Sequence, residues 1–132
     1  GLHEKLASKY PMLIDADDLR LARNQFGSGS HFTEWMAAIE LHKRYGYKSL
    51  IEKYEFSGHP KKAEVLKKLG VEIKRFKHCQ YPDLLVYDGA GNWEFVEVKS
   101  KSDSLSDNQK AYFPQIERLF CKRIKILRLL ET

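Results

Sequence analysis

"PDLLVYDGAGNWEFVEVK", residues 82 to 99, decides how the rest of the chain is read. Two β-rich runs flank "DGAGN", whose glycines and asparagine suit a tight turn, so the stretch predicts an antiparallel hairpin. With the turn centred near Ala90, position 83 falls opposite position 97. An aspartate at the start of one strand then meets a glutamate near the end of the next. Residues two apart in a strand share a side, which puts Phe95, Glu97 and Lys99 on one face and Val96 and Val98 on the other. One face is core; the other carries solvent or chemistry.

On the C-terminal side of the hairpin, "SDNQ" (106 to 109) has the form of a capping box and predicts a helix through about Phe120. Pro114 lies inside that span and is expected to kink or split it, because its ring removes a backbone donor. "RIKILRLL" (123 to 130) reads as a final strand, with Ile124 and Ile126 on one side and Arg123 and Lys125 on the other.

On the N-terminal side, "HFTEWMAAIELHKRY" has helical spacing and ends at Gly46, a favoured position for the left-handed residue that closes a helix. "YKSLIEKYEF" (47 to 56) fits helix or strand; its period-2 face of Leu50, Glu52, Tyr54 and Phe56 favours strand. Pro60 and Gly70 bracket "KKAEVLKKL" as a short basic helix. "VEIKRFKH" (71 to 78) alternates as an exposed, edge-like strand would. "LHEKLASKY" and "DADDLRLARNQF" read as two short helices, followed by the flexible "GSGS" (27 to 30). The expected organisation is an N-terminal helical extension over 1 to 30 and one α/β domain over 31 to 132.

A chain of 132 residues, 42% hydrophobic and 31% charged, has globular composition and enough length for one core without metals or disulfides. Cys79 and Cys121 form no CxxC and join no histidine pair at zinc spacing, which suits reduced thiols in an intracellular protein. No apolar run reaches the length of a membrane span, and "GLHEKLASKYP" lacks the apolar centre of a signal peptide. The expected location is the cytoplasm of a bacterium or virus-infected cell, or the nucleus of a eukaryote.

The net charge of +5 is concentrated in residues 61 to 78, where seven Lys and Arg meet two glutamates. Lys61, Lys62, Lys67, Lys68, Lys74 and Arg75, with Lys101 further on, are candidates for tracking a phosphate backbone. A solvated helix face and a lysine-guarded edge strand explain the same charge.

Two facing carboxylates repel by about 1 kcal/mol at 4 Å in water and about 4 kcal/mol at an effective dielectric of 20. A hard divalent cation removes that cost, and one or two carboxylates with a backbone carbonyl and waters suit Mg²⁺ or Mn²⁺. Asp83, Glu97 and the carbonyl of Val98 make such a set. Lys99 on the same face could orient water or balance charge on a phosphate, which points to phosphodiester hydrolysis. A surface cross-strand ion pair between Glu97 and Lys99 is the plainer alternative.

Pro82-Asp83, followed 14 positions after Asp83 by Glu97-Val98-Lys99, resembles the signature of PD-(D/E)xK nucleases. With "DSLSDNQ" following, the stretch more narrowly resembles the VRR-NUC domain, over about residues 31 to 130. The resemblance implies a restriction-endonuclease-like core of helix, mixed central sheet and flanking helices. It implies that Asp83 and Glu97 bind Mg²⁺ or Mn²⁺, that Lys99 is catalytic and that Gln109 stands near the active site. It also implies a metal-shell glutamate on the first helix, for which Glu34 is the choice and Glu40 the alternative.

The implied activity is a metal-dependent endonuclease acting on branched or structured DNA, and small stand-alone members suggest a homodimer. An RNA endonuclease and an inactive nucleic-acid-binding domain are the rival readings. The chain departs from the family pattern in "HCQY" before PD, in Pro114 and in the basic segment.

Overall fold

The computed structural model describes residues 32–51, 60–73, 81–100 and 102–129. The two helices expected before Gly27 lie outside them, as do the second half of "YKSLIEKYEF" and most of "VEIKRFKH". The described elements are α1 (Phe32–Tyr45), β1 (Lys48–Ile51), α2 (Pro60–Leu69), β2 (Leu84–Tyr87), β3 (Trp93–Ser100), α3 (Asp107–Phe120) and β4 (Lys125–Leu129). Together they make an α/β fold, in which three helices accompany a four-stranded mixed sheet of order β1-β2-β3-β4. This is the architecture expected of a restriction-endonuclease-like core.

The hairpin sets the register of the sheet. Tyr87 pairs with Trp93 and Leu84 with Val96, so the turn is centred on position 90, as its composition predicts. Asp88 holds the turn by accepting through Oδ1 from the backbone N–H groups of Ala90 and Asn92, and through Oδ2 from the Asn92 amide. β1 adds to β2 antiparallel, while β4 returns through α3 to pair with β3 in parallel. A parallel neighbour requires a crossover of this kind, because a tight turn can only reverse the chain.

Strand alternation divides the core in two. On one face Ile51, Leu84, Val86, Val96 and Val98 pack against Trp35, Ala37 and Ile39 of α1. On the other, Leu50, Leu85 and Phe95 meet Leu66 of α2, Tyr81, and Phe113 and Ile116 of α3. Both hairpin strands are therefore covered on both sides, and the polar residues of β3 that remain inside need partners.

Gly46 and Gly70 end their helices with φ of +75° and +69°, the left-handed region that glycine enters without a Cβ penalty. Val71 does not begin the strand expected over 71 to 78. Its N–H donates to the carbonyl of Leu66 at 2.9 Å, closing α2, and Val71 and Ile73 pack against the Leu50–Phe95 cluster. That N–H is spent on the helix end, and residues 71–73 have no strand partner.

Pro114 does not split its helix either, since α3 runs unbroken from Asp107 to Phe120. Pro114 and Lys110 are both exposed, so the carbonyl that loses its donor at position 114 faces solvent, while Phe113 and Ile116 anchor the helix on the sheet.

Candidate active site

One step past the last β2–β3 pair, the register brings Asp83 opposite Glu97. Each carboxylate takes an N–H from the other residue's strand. The backbone N–H of Asp83 donates to Glu97 Oε1 at 3.1 Å, and that of Val98 donates to Asp83 Oδ2 at 2.8 Å. The N–H and C=O of one strand residue leave on the same side. The Val98 carbonyl therefore leaves β3 on the side of Asp83, past the end of β2.

Gln109 closes the group from α3. Its Nε2 donates to Glu97 Oε2 at 2.7 Å, and its Oε1 accepts from Lys99 Nζ at 2.9 Å and from the Ser106 backbone N–H at 3.0 Å. The opposite orientation of the amide would set donor against donor at Lys99 and Ser106 and oxygen against oxygen at Glu97, so the network defines which atom is oxygen. Ser106 Oγ accepts from the Gln109 N–H at 3.1 Å, completing the capping box expected from "SDNQ". The glutamine is thus both the partner of Ser106 in the capping box and the link between Glu97 and Lys99, whose charged atoms stand 3.4 Å apart.

Glu97 is 3% exposed. Burial first, and the negative charge of Asp83 second, push its carboxyl up to about 7, against the pull of the Asp83 N–H and of Lys99. Ionised together, the two carboxyls would carry more negative charge than Lys99 alone offsets, and Glu97 holds its proton more tightly as a result. Two carboxylates and a carbonyl converging in this way are a donor set that fits a hard divalent cation completing its shell with water.

Other sequence expectations fare differently. Glu34 lies in the first turn of α1, half-buried, and α1 packs on the sheet face opposite Glu97 and Lys99. Among the described residues no group of three or more His, Cys, Asp or Glu is placed to hold a metal, so Glu34 is not gathered into a set with Asp83 and Glu97. The alternative, Glu40, pairs instead with Arg44 at 3.2 Å on the helix surface.

Lys67 and Lys68 are exposed on α2 and Lys62 is half-buried. Lys68 lines a cleft with Lys48, Asp88, Gly89 and Gly91 at the turn end of the hairpin. That end is about 17 Å from Asp83, five extended residues away. The side chain of Lys61, and Lys74, Arg75 and Lys101, lie outside the described residues.

Arg128, which no motif in the sequence marks, also stands beside Lys99. It pairs in register with Lys99 on β4, as Ile126 does with Glu97, and partners in a ladder project to the same face. The strand alternation in "RIKILRLL" already put Ile126 and Arg128 on one side. Only the register of the parallel pairing, however, places that side next to Lys99.

The model of the VRR-NUC domain matches residues 32–122, most of the chain. The chain belongs to the VRR-NUC family. It is a family of nuclease domains within the PD-(D/E)xK superfamily, and the match covers α1, the whole hairpin and α3. β4 follows the matched region and still completes the sheet of this VRR-NUC domain. No curated protein and no solved structure matches the chain.

Proposed function

We propose that this VRR-NUC domain is a divalent-metal-dependent endonuclease that hydrolyses phosphodiester bonds in DNA, with branched or otherwise structured DNA as its substrate. The observation that carries this reading is the array in which Gln109 ties Glu97 and Lys99 together beside Asp83. It satisfies a buried carboxylate and leaves that carboxylate's charge only partly balanced, which is what a cation-binding phosphoryl-transfer site requires.

Asp83, Glu97 and the Val98 carbonyl would hold Mg²⁺ or Mn²⁺, and neither hydrogen bond of the Asp83–Glu97 pair uses Asp83 Oδ1. When bound, such a cation supplies Lewis-acid stabilisation of the attacking and leaving oxygens in an in-line displacement.

The chain's own residues do the positioning. Gln109 restrains Lys99 through its Oε1, so the ammonium stands at the site before substrate arrives and costs little reorganisation in the transition state. Lys99 there orients the attacking water and offsets negative charge growing on the phosphoryl oxygens. Glu34 remains the proposed carboxylate from α1, entering the shell only if substrate or metal draws the first turn of α1 toward Asp83.

The test is cleavage of labelled linear, flap and four-way-junction DNA, with a matched single-stranded RNA, in Mg²⁺, Mn²⁺ and EDTA, with Lys99→Ala as the control. Cleavage of structured DNA that needs both metal and Lys99 is the expected result. Preferential cutting of RNA would move the substrate class. Binding without cleavage under every condition would make the domain a nucleic-acid-binding module.

A further inference from the structure

Arg128 stands on the face of the sheet that carries Glu97 and Lys99, in register with Lys99, on the neighbouring parallel strand. Its Nη1 donates to two backbone carbonyls, those of Ser100 at 3.1 Å and Asp103 at 2.5 Å. Both belong to the connection from Lys99 to the cap of α3. Nη1 has two N–H groups, so these contacts occupy it fully. A guanidinium is planar and carries five such donors, which leaves Nε and Nη2 with three, their direction set by the anchored edge.

The residue is exposed, and among the described residues no carboxylate lies within ion-pair distance of it. Neither carbonyl neutralises its charge. Its fixed edge and its place in register with Lys99, rather than the unpaired charge alone, set it apart from an ordinary surface arginine. One that is braced, charged and beside a phosphodiester-cleaving lysine is suited to an anion with several oxygens.

The geometry points to Arg128 as a phosphate clamp: its Nε and Nη2 edge holds a nucleic-acid backbone phosphate next to the one that is cut, and its Nη1 edge fixes that grip to the Ser100–Asp103 connection. This inference rests on the nuclease reading and adds to it a specific substrate contact. The chemistry recognised is the phosphodiester backbone rather than a base, so the clamp carries no sequence preference.

The test is binding of a short fluorescein-labelled DNA duplex, with a matched RNA, to the whole chain in EDTA, by anisotropy across about 50 to 200 mM KCl. Arg128→Ala and Arg128→Gln are expected to bind about tenfold more weakly at the low-salt end. Each should also reduce the slope of log K against log salt by about 1, the signature of one lost phosphate contact. Arg128→Lys should keep the slope. Gln retains an amide donor for the two carbonyls, so it separates lost charge from a loosened connection if the Ala variant fails to fold. A native slope in the folded Gln variant would overturn the clamp while leaving the nuclease reading standing, provided wild type binds and cuts. No salt-dependent binding by wild type would overturn the clamp, while the nuclease reading falls only if wild type also fails to cut in Mg²⁺ or Mn²⁺.

Discussion

Gln109 and Glu97, twelve positions apart, meet at 2.7 Å through an amide donor and a buried carboxylate oxygen. The same amide takes part in the capping box of α3, its Oε1 accepting from the Ser106 N–H while its Nε2 reaches the site. The start of the helix and the active site share this one side chain.

Gln109→Ala should therefore cost more than a cap. Hydrogen bonds to charged groups contribute about 1.5–3 kcal/mol, which predicts a single-turnover cleavage rate lowered by roughly 10- to 100-fold. Ser106→Ala removes the cap but leaves the links to Glu97 and Lys99, and should cost about 1 kcal/mol of stability with little change in rate. Equal rates in the two variants would show that Gln109 serves the helix alone.

Asp83→Ala and Glu97→Ala should abolish cleavage while the domain stays folded by circular dichroism. Lys99→Ala should slow the bound-state reaction by about 10² to 10³, the range for losing one preorganised charge-stabilising group, and weaken DNA binding far less. Unchanged rates in all three variants would remove the site from this hairpin.

The pH dependence of stability follows from Glu97. Its carboxyl titrates near 7 when folded and near 4.5 when unfolded. The folded state thus holds a proton that the unfolded chain has released. The stabilisation is complete below about 4.5 and is lost as pH rises through 7. In EDTA, melting temperature should fall between pH 5 and 8, and Glu97→Gln should flatten that trend. Added Mg²⁺ or Mn²⁺ should raise the melting temperature more at pH 8 than at pH 5, since only the ionised carboxylate binds a cation well.

Pro114 sits inside an unbroken helix with its surface open to solvent. Pro114→Ala restores one backbone hydrogen bond and relieves the ring's clash with the preceding turn, so it should stabilise the domain by about 1 kcal/mol or more, read as a higher melting temperature. Cleavage of a saturating substrate should be unchanged.

The hairpin, the ends of α1 and α2, and the capping box of α3 were all legible in the sequence, because each is governed by residues within a few positions of one another. "DGAGN" centres the turn, and period-2 alternation then carries Asp83 opposite Glu97 without reference to anything else in the chain. What escaped the sequence depended on distant partners. Val71 looked like the start of a strand, but its N–H closes α2. Pro114 looked like a break, but Phe113 and Ile116 hold the helix to the sheet.

Local chemistry thus determined which residues face each other across the hairpin. Tertiary structure alone decided that β4 would lie parallel to β3, with Arg128 beside Lys99, and that the glutamine capping α3 would also bridge Glu97 and Lys99. A turn reaches only a few residues along the chain, whereas the register of a parallel strand depends on the crossover helix and on the core it buries.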